Sequence, residues 1–314
     1  MRGVKLLGAV AWVALLIVVL VAGCARGSPE EQGTETTERP LTEPGTQDDL
    51  RETTSETSRV PARGDEVAGG EATDVPFTAA PEMNGGSGEA ADGIRGVRFG
   101  EHDGYERAVV DFGSGGEPAP QVPVWSLSSP TGEGYARITF PSVDATSVSG
   151  GTFGGSILDN FYVVRAPGKG MFVDIFATGA FLYRVIELSN PGRLVIDYRP
   201  ASVDLSFPIP AQAERTVLFE PREGEAITSP LRVSGYSRNF EASNTLVLRD
   251  ASGKVLAQRT VLSNDWAETW GYFETSLEFP TFEGRAILRV GAESARDGSF
   301  EGVEVPVAYG GGKG

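Results

Sequence analysis

Side chains that commonly carry out chemistry are scarce in this sequence. The chain of 314 residues has one histidine, His102, and one cysteine, Cys24. A His/Cys metal centre, a thiol relay and a disulfide framework are therefore excluded as organising chemistry. A catalytic histidine needs a nucleophile beside it and a partner that orients it. His102 instead stands in Glu101-His102-Asp103-Gly104, a run of ordinary turn chemistry. No Gly-x-Ser-x-Gly elbow, Ser-x-x-Lys, His-Glu-x-x-His or phosphate-binding loop is present. Paired carboxylates can hydrolyse glycans, but no Asp or Glu is singled out by its context. Asp250-Ala251-Ser252-Gly253 and Asp297-Gly298 lack the spaced oxygens of a calcium loop and read as turns. The expectation is a non-enzymatic protein without metal or cofactor.

Binding chemistry has better candidates. Arg107, Arg184 and Arg193 fall on alternating, exposed-looking positions of strand-like runs. They read either as contacts for an anionic polymer or as a solvated strand face. Trp266, Trp270, Tyr272 and Phe273 form an aromatic cluster, which can pack a core or stack on sugar rings. Trp266, in Asn264-Asp265-Trp266, reads as loop and is the better binding candidate of the four.

The 43 acidic against 27 basic residues give a net charge of −16. That balance disfavours a nucleic-acid binder, which needs a basic footprint. It also opposes simple attraction to anionic wall polymers, so recognition there would need specific polar and stacking contacts. With 41 glycines and 20 prolines, turns and short strands are favoured over long helices.

At the N-terminus, Arg2 and Lys5 precede an apolar run from Leu6 to Ala22, and Val21-Ala22-Gly23 leads directly into Cys24. This ending resembles a bacterial lipobox. The resemblance implies diacylglyceryl transfer to the Cys24 thiol and cleavage before it, with residues 1–23 as signal peptide. The alternative is an uncleaved N-terminal helix with Cys24 as a bystander. Two or more acyl chains anchor stably where one is marginal, so the implied location is extracytoplasmic, on the outer face of the cytoplasmic membrane. Between Ala25 and Ala90 there are five arginines and fifteen acidic residues, with few apolar ones. Such a segment cannot bury enough surface to offset its chain entropy. Residues 24–93 therefore read as a disordered acidic tether with an r.m.s. reach of roughly 45 Å.

Two all-β domains are expected behind the tether, each a β-sandwich. In residues 94–205, Val97, Phe99, Val110 and Phe112 alternate with polar neighbours. Phe181–Ile186 and Arg193–Tyr198 flank Asn190-Pro191-Gly192 as strand, turn and strand. The stretch from Gly155 to Asn160 is the only helix candidate. Ser206-Phe207-Pro208-Ile209-Pro210 reads as a stiff link. In residues 214–309, Leu231/Val233, Leu246/Leu248, Phe273/Leu277, Leu288/Val290 and Val303/Val305/Val307 mark six or seven strands, the count of an immunoglobulin-like sandwich.

Both halves carry family resemblances. Gly96-Val97-Arg98, His102 through Arg107, and Asn190-Pro191-Gly192-Arg193-Leu194-Val195-Ile196-Asp197 resemble the two ends of an AMIN-like domain. That resemblance implies a small β-sandwich that localises envelope proteins, with peptidoglycan as the usual ligand. Glu220-Pro221-Arg222-Glu223-Gly224 through Ser234-Gly235, Asp250-Ala251-Ser252-Gly253 and Val303–Val307 resemble the immunoglobulin-like domain of bacterial spore germination proteins, which brings no catalytic residues. Together these imply a lipid-anchored envelope protein that binds peptidoglycan or another envelope glycan. The alternative is a scaffold that recruits or regulates an envelope, sporulation or germination enzyme.

Overall fold

A computed structural model describes residues 75–87, 91–129, 132–294 and 296–310. The expected signal peptide, the Val21-Ala22-Gly23 lipobox, Cys24 and most of the expected tether lie outside the described residues. Among the described residues no helix is long and apolar enough to cross a membrane.

The alternating runs form strands as their period requires. Tyr105–Ser114 lies between Gly93–His102 and Arg193–Pro200, and Phe181–Leu188 pairs with Arg193–Pro200 from Leu188 opposite Arg193. Val97, Ala108, Val110, Phe112, Leu194 and Ile196 thereby share one face of a six-stranded sheet and are buried. They pack against Ala136, Ile138, Phe140, Val173 and Ile175 of the facing sheet. In the second half, Leu246, Leu248, Leu288, Val290, Val303, Val305 and Val307 of a five-stranded sheet meet Leu218, Leu231, Val233 and Phe273. Both halves are sandwiches, each closed over one continuous core.

Three expectations need correction. The ordered chain starts upstream of Ile94: Glu82–Gly85 pairs with Trp125–Ser128, and Thr78 exchanges both backbone hydrogen bonds with Tyr183. Residues 75–87 are therefore part of the fold, not linker. Their few apolar side chains suffice because they extend sheets that the rest of the chain has built, and Met83 adds to an existing core. The helix candidate at Gly155–Asn160 is a turn leading into the strand Leu158–Arg165. The pull of Glu106, described below, fixes it. Finally, the two sandwiches are not merely linked through Ser206–Pro210. Trp270 and Gly271 of Trp270–Leu277 pair in parallel with Val164 and Arg165, so one ten-stranded sheet runs through both halves.

That shared sheet is buried on both faces where the halves meet. In Met171–Ala177, Met171, Val173 and Ile175 enter the first core, while Phe172 and Phe176 point the other way. The same split divides Val233 from Tyr236 and Leu218 from Phe219. Phe172, Phe176, Tyr135 and Val164 of the first half thus meet Val217, Phe219, Tyr236 and Trp270 of the second in a third core. At its centre Arg137 donates two hydrogen bonds to the fully buried Asp174, at 2.8 and 2.7 Å. Its guanidinium lies 4.0 Å from the Phe172 ring centre and 4.8 Å from that of Phe219. One aromatic from each half therefore covers the same cation.

Candidate functional site

A cleft of about 750 Å³ opens at one end of this aromatic junction, with walls from both halves. The first half contributes Ser149–Thr152, Asn160 and Tyr162, and the second contributes Gln212–Arg215, Arg238, Trp266, Ala267 and Trp270. The parallel strand pair brings Trp270 against Tyr162, with ring centres 4.7 Å apart and nearly perpendicular. Gly150 permits the close approach, because a Cβ there would stand 2.9 Å from the Phe161 carbonyl and 3.4 Å from the Trp270 indole nitrogen. On the floor, Asn160 Nδ2 and the Tyr162 hydroxyl both donate to Gln212 Oε1, each at 3.0 Å. Asn160 Oδ1 is buried and accepts no hydrogen bond from any described residue.

The loop carrying Trp266 is held to the first half by its polar residues. Asp265 Oδ1 accepts the backbone N–H groups of Trp266, Ala267 and Glu268, while Oδ2 accepts Arg165 Nε at 2.7 Å. Burial opposes ionisation of Asp265, but the Arg165 and backbone hydrogen bonds outweigh it and hold the carboxyl below its ordinary range. Asn264 Nδ2 donates to the Arg165 and Ala166 carbonyls, and Arg238 bridges Ser149 Oγ and the Ala267 carbonyl. So positioned, Trp266 keeps 36% of its surface exposed and meets the 62% exposed Phe240 edge to face at 5.1 Å. Trp270 and Phe273, by contrast, are buried at 6% and 1%. The cluster therefore divides: two rings pack, and Trp266 forms a lip over the cleft.

The expected arginines are placed differently. Arg107, Arg184 and Arg193 do share the outer face of the six-stranded sheet, but the first two are not the free, exposed contacts expected from alternation alone. Arg107 donates to both oxygens of Asp197 at 2.6 and 3.0 Å, and Arg184 Nε donates to Asp197 Oδ2 at 2.8 Å. Asp197 is fully buried beneath them, and their own side chains are only 20% and 12% exposed. Arg193 has no carboxylate partner among the described residues, and its Nε is buried without an acceptor.

His102 ends one strand of the same sheet and stacks on Tyr105, with ring centres 4.6 Å apart. Burial and the Arg107 charge lower its pKa below 6.5. As the sole histidine, it is directly readable by proton NMR. Replacing Arg107 with Gln is expected to move its midpoint upward, toward 6.5. Because its folded pKa is depressed, the ring's contribution to stability is present above pH 6.5 and declines as pH falls through the folded value. An unchanged midpoint in the variant would refute the Arg107 coupling.

Asn160, Tyr162, Gln212 and Arg238 carry no sequence signal for a site, since each is an ordinary polar strand or turn residue until the halves are joined. Among the described residues no group of three or more His, Cys, Asp or Glu side chains could hold a metal. The carboxylates of Asp250 and Asp297 cap their own turns through Ser252, Lys254 and Ser299. A second groove of about 650 Å³ at the junction is ringed by internally paired charges, including Arg222 with Glu133 and Arg232 with Glu274.

No curated protein and no solved structure matches the chain. Residues 216–299, which include Arg238, Trp266 and Trp270 of the cleft, match the family model of the immunoglobulin-like domain of bacterial spore germination.

Proposed function

We propose that this is a non-enzymatic, lipid-anchored envelope protein that binds peptidoglycan, or a related envelope glycan, in the cleft between its two sandwiches. The immunoglobulin-like domain at 216–299 supports an envelope- or germination-related role at the coarser level. The observation that carries the finer reading is the cleft itself. It offers an exposed indole beside amide and guanidinium groups. Sugars present apolar C–H faces and equatorial hydroxyls, so a ring face next to fixed donors and acceptors suits them. An AMIN-like first half accords with this ligand, and acylated Cys24 would hold the protein at the membrane.

The test is co-sedimentation of the full-length chain, in detergent, with purified sacculi. Wild type is expected in the pellet, and Trp266→Ala is expected to lose about tenfold in affinity, the scale of one stacking aromatic. Because Trp266 is a surface lip, that variant should melt at the wild-type temperature. Failure of wild type to pellet would discard the glycan reading. The scaffold alternative then gains from one observation: Val255–Leu262 is an edge strand, with Val255 41% and Leu262 65% exposed. A partner chain could pair with such an edge.

A further inference from the structure

The outer face of the six-stranded sheet runs against the charge of the whole protein. Strand register places Arg107, Asp197 and Arg184 in one row across three adjacent strands, and Asp111 beside Arg193 in another. Arg98, on the neighbouring strand, is paired with Asp111 at 2.6 Å. Arg199 lies opposite Leu182 and is exposed. Five arginines and two aspartates thus share this face, a local excess of positive charge on a chain whose net charge is −16.

The cations are held in place, and two have charge to spare. Asp197 serves both Arg107 and Arg184, which leaves that triad net positive. The Phe77 ring lies against the guanidiniums of Arg184 and Arg199, at 4.7 and 4.5 Å from its centre. Arg199 has no carboxylate partner among the described residues, and neither has Arg193, whose buried Nε lacks an acceptor. A guanidinium with no carboxylate to neutralise it keeps its full charge for an incoming anion.

From this geometry we infer that the face is a second binding surface, separate from the cleft, for a linear polyphosphodiester. None of the described grooves lies on the face, and Arg107 and Arg184 are largely covered, so an extended ligand would meet it chiefly through Arg193 and Arg199. Arg193 and Arg199 are six residues apart on one strand, about 20 Å, and the arginine-bearing strands span about 14 Å. A flexible chain with one charge per repeat can follow such a set, and the planar guanidinium fork donates paired hydrogen bonds to phosphate oxygens. A bilayer surface fits less well. Val109 and Val195 on this face are only 6% and 3% exposed, so neither is an apolar side chain free to insert. Membrane-docking faces need such side chains to insert.

The experiment measures binding of poly(glycerol phosphate) to the full-length protein in detergent. Retention is expected at about 50 mM salt and loss by about 500 mM, because exposed charges are screened over a few ångströms there. Arg193→Gln with Arg199→Gln should weaken binding at least about tenfold, and Arg199→Gln alone, at an exposed site, about threefold. Trp266→Ala should leave this binding unchanged, which separates the surface from the cleft. Absence of retention at low salt would overturn the inference. So would wild-type affinity in the folded Arg199→Gln and double variants, or equal binding of poly-glutamate. Competition by monomeric glycerol phosphate at equal phosphate concentration would also overturn it, since a polymer surface requires the linked repeats.

Discussion

Replacing Arg137 with Leu is expected to destabilise the protein by about 3–5 kcal/mol, the cost of leaving a buried charge without its partner. Asp174 is fully buried and takes both of its short hydrogen bonds from this one guanidinium, with the Tyr236 hydroxyl beside it. Burial already pushes the Asp174 carboxyl up, and Arg137 is the largest influence holding it down. Without Arg137 the carboxyl must rise further. The folded pKa then lies well above the unfolded value, so the stability this carboxyl contributes is fully present below about pH 4, the ordinary Asp range. That contribution is lost as pH rises through the folded pKa. Chemical denaturation at several pH values reads both effects. A variant with wild-type stability, or one whose deficit relative to wild type shrinks with rising pH, would refute the role assigned to the pair.

The double variant Arg137→Leu with Asp174→Leu sharpens the test. Buried ion pairs are often replaceable by apolar residues at little cost, and the surroundings here are Phe172 and Phe219. Most of the lost stability should return. If it does, the pair acts mainly by neutralising itself, and the junction is held by its aromatic packing. Because the ten-stranded sheet and the third core cross between the halves, damage at Arg137 should lower one common unfolding transition and not split it into two.

Strand alternation was readable wherever one face of a strand is buried and the other is not. Phe181–Leu188, with Tyr183 and Val185 buried, and Phe300–Tyr309, with Val303, Val305 and Val307 buried, follow that rule. It fails informatively at Met171–Ala177, where every residue is buried. A continuous apolar run marks a strand covered on both sides, and here the second cover is the other half of the protein. The site inherits that illegibility. Trp266 stood out as a loop aromatic, but Asn160, Tyr162 and Gln212 meet only because Trp270 pairs with Val164, a contact between residues 106 positions apart. The arginines misled for a related reason. Alternation correctly put Arg107 and Arg184 on the outer face, but Asp197 lies on that face too, and it claims both.

Glu106 is expected to be nearly as critical as Arg137, and its loss should reach the cleft. This carboxylate, 4% exposed, accepts the backbone N–H groups of Ser156, Ile157 and Leu158 and the Ser156 hydroxyl, at 2.7 to 3.1 Å. Gly155 is required beside it, since a Cβ there would strike Glu106 Oε2. Glu106→Ala leaves three backbone donors without their acceptor, each costing about 1–3 kcal/mol when no water replaces it. We expect a total near 3 kcal/mol, with Glu106→Gln intermediate because one acceptor oxygen remains. The pinned turn leads directly into Leu158–Arg165, the strand that carries Asn160 and Tyr162 to the cleft floor and Arg165 to the Trp266 loop. Glu106→Ala should therefore weaken sacculus binding under conditions where the variant is still folded, although Glu106 lines no part of the cleft. Hydrogen exchange would locate the change: amides of 156–158 and of the 264–269 loop should lose protection before those of the second core. Wild-type protection at 156–158 would show that the carboxylate does not hold the turn. Wild-type binding with the turn loosened would separate the cleft from the turn that leads into it.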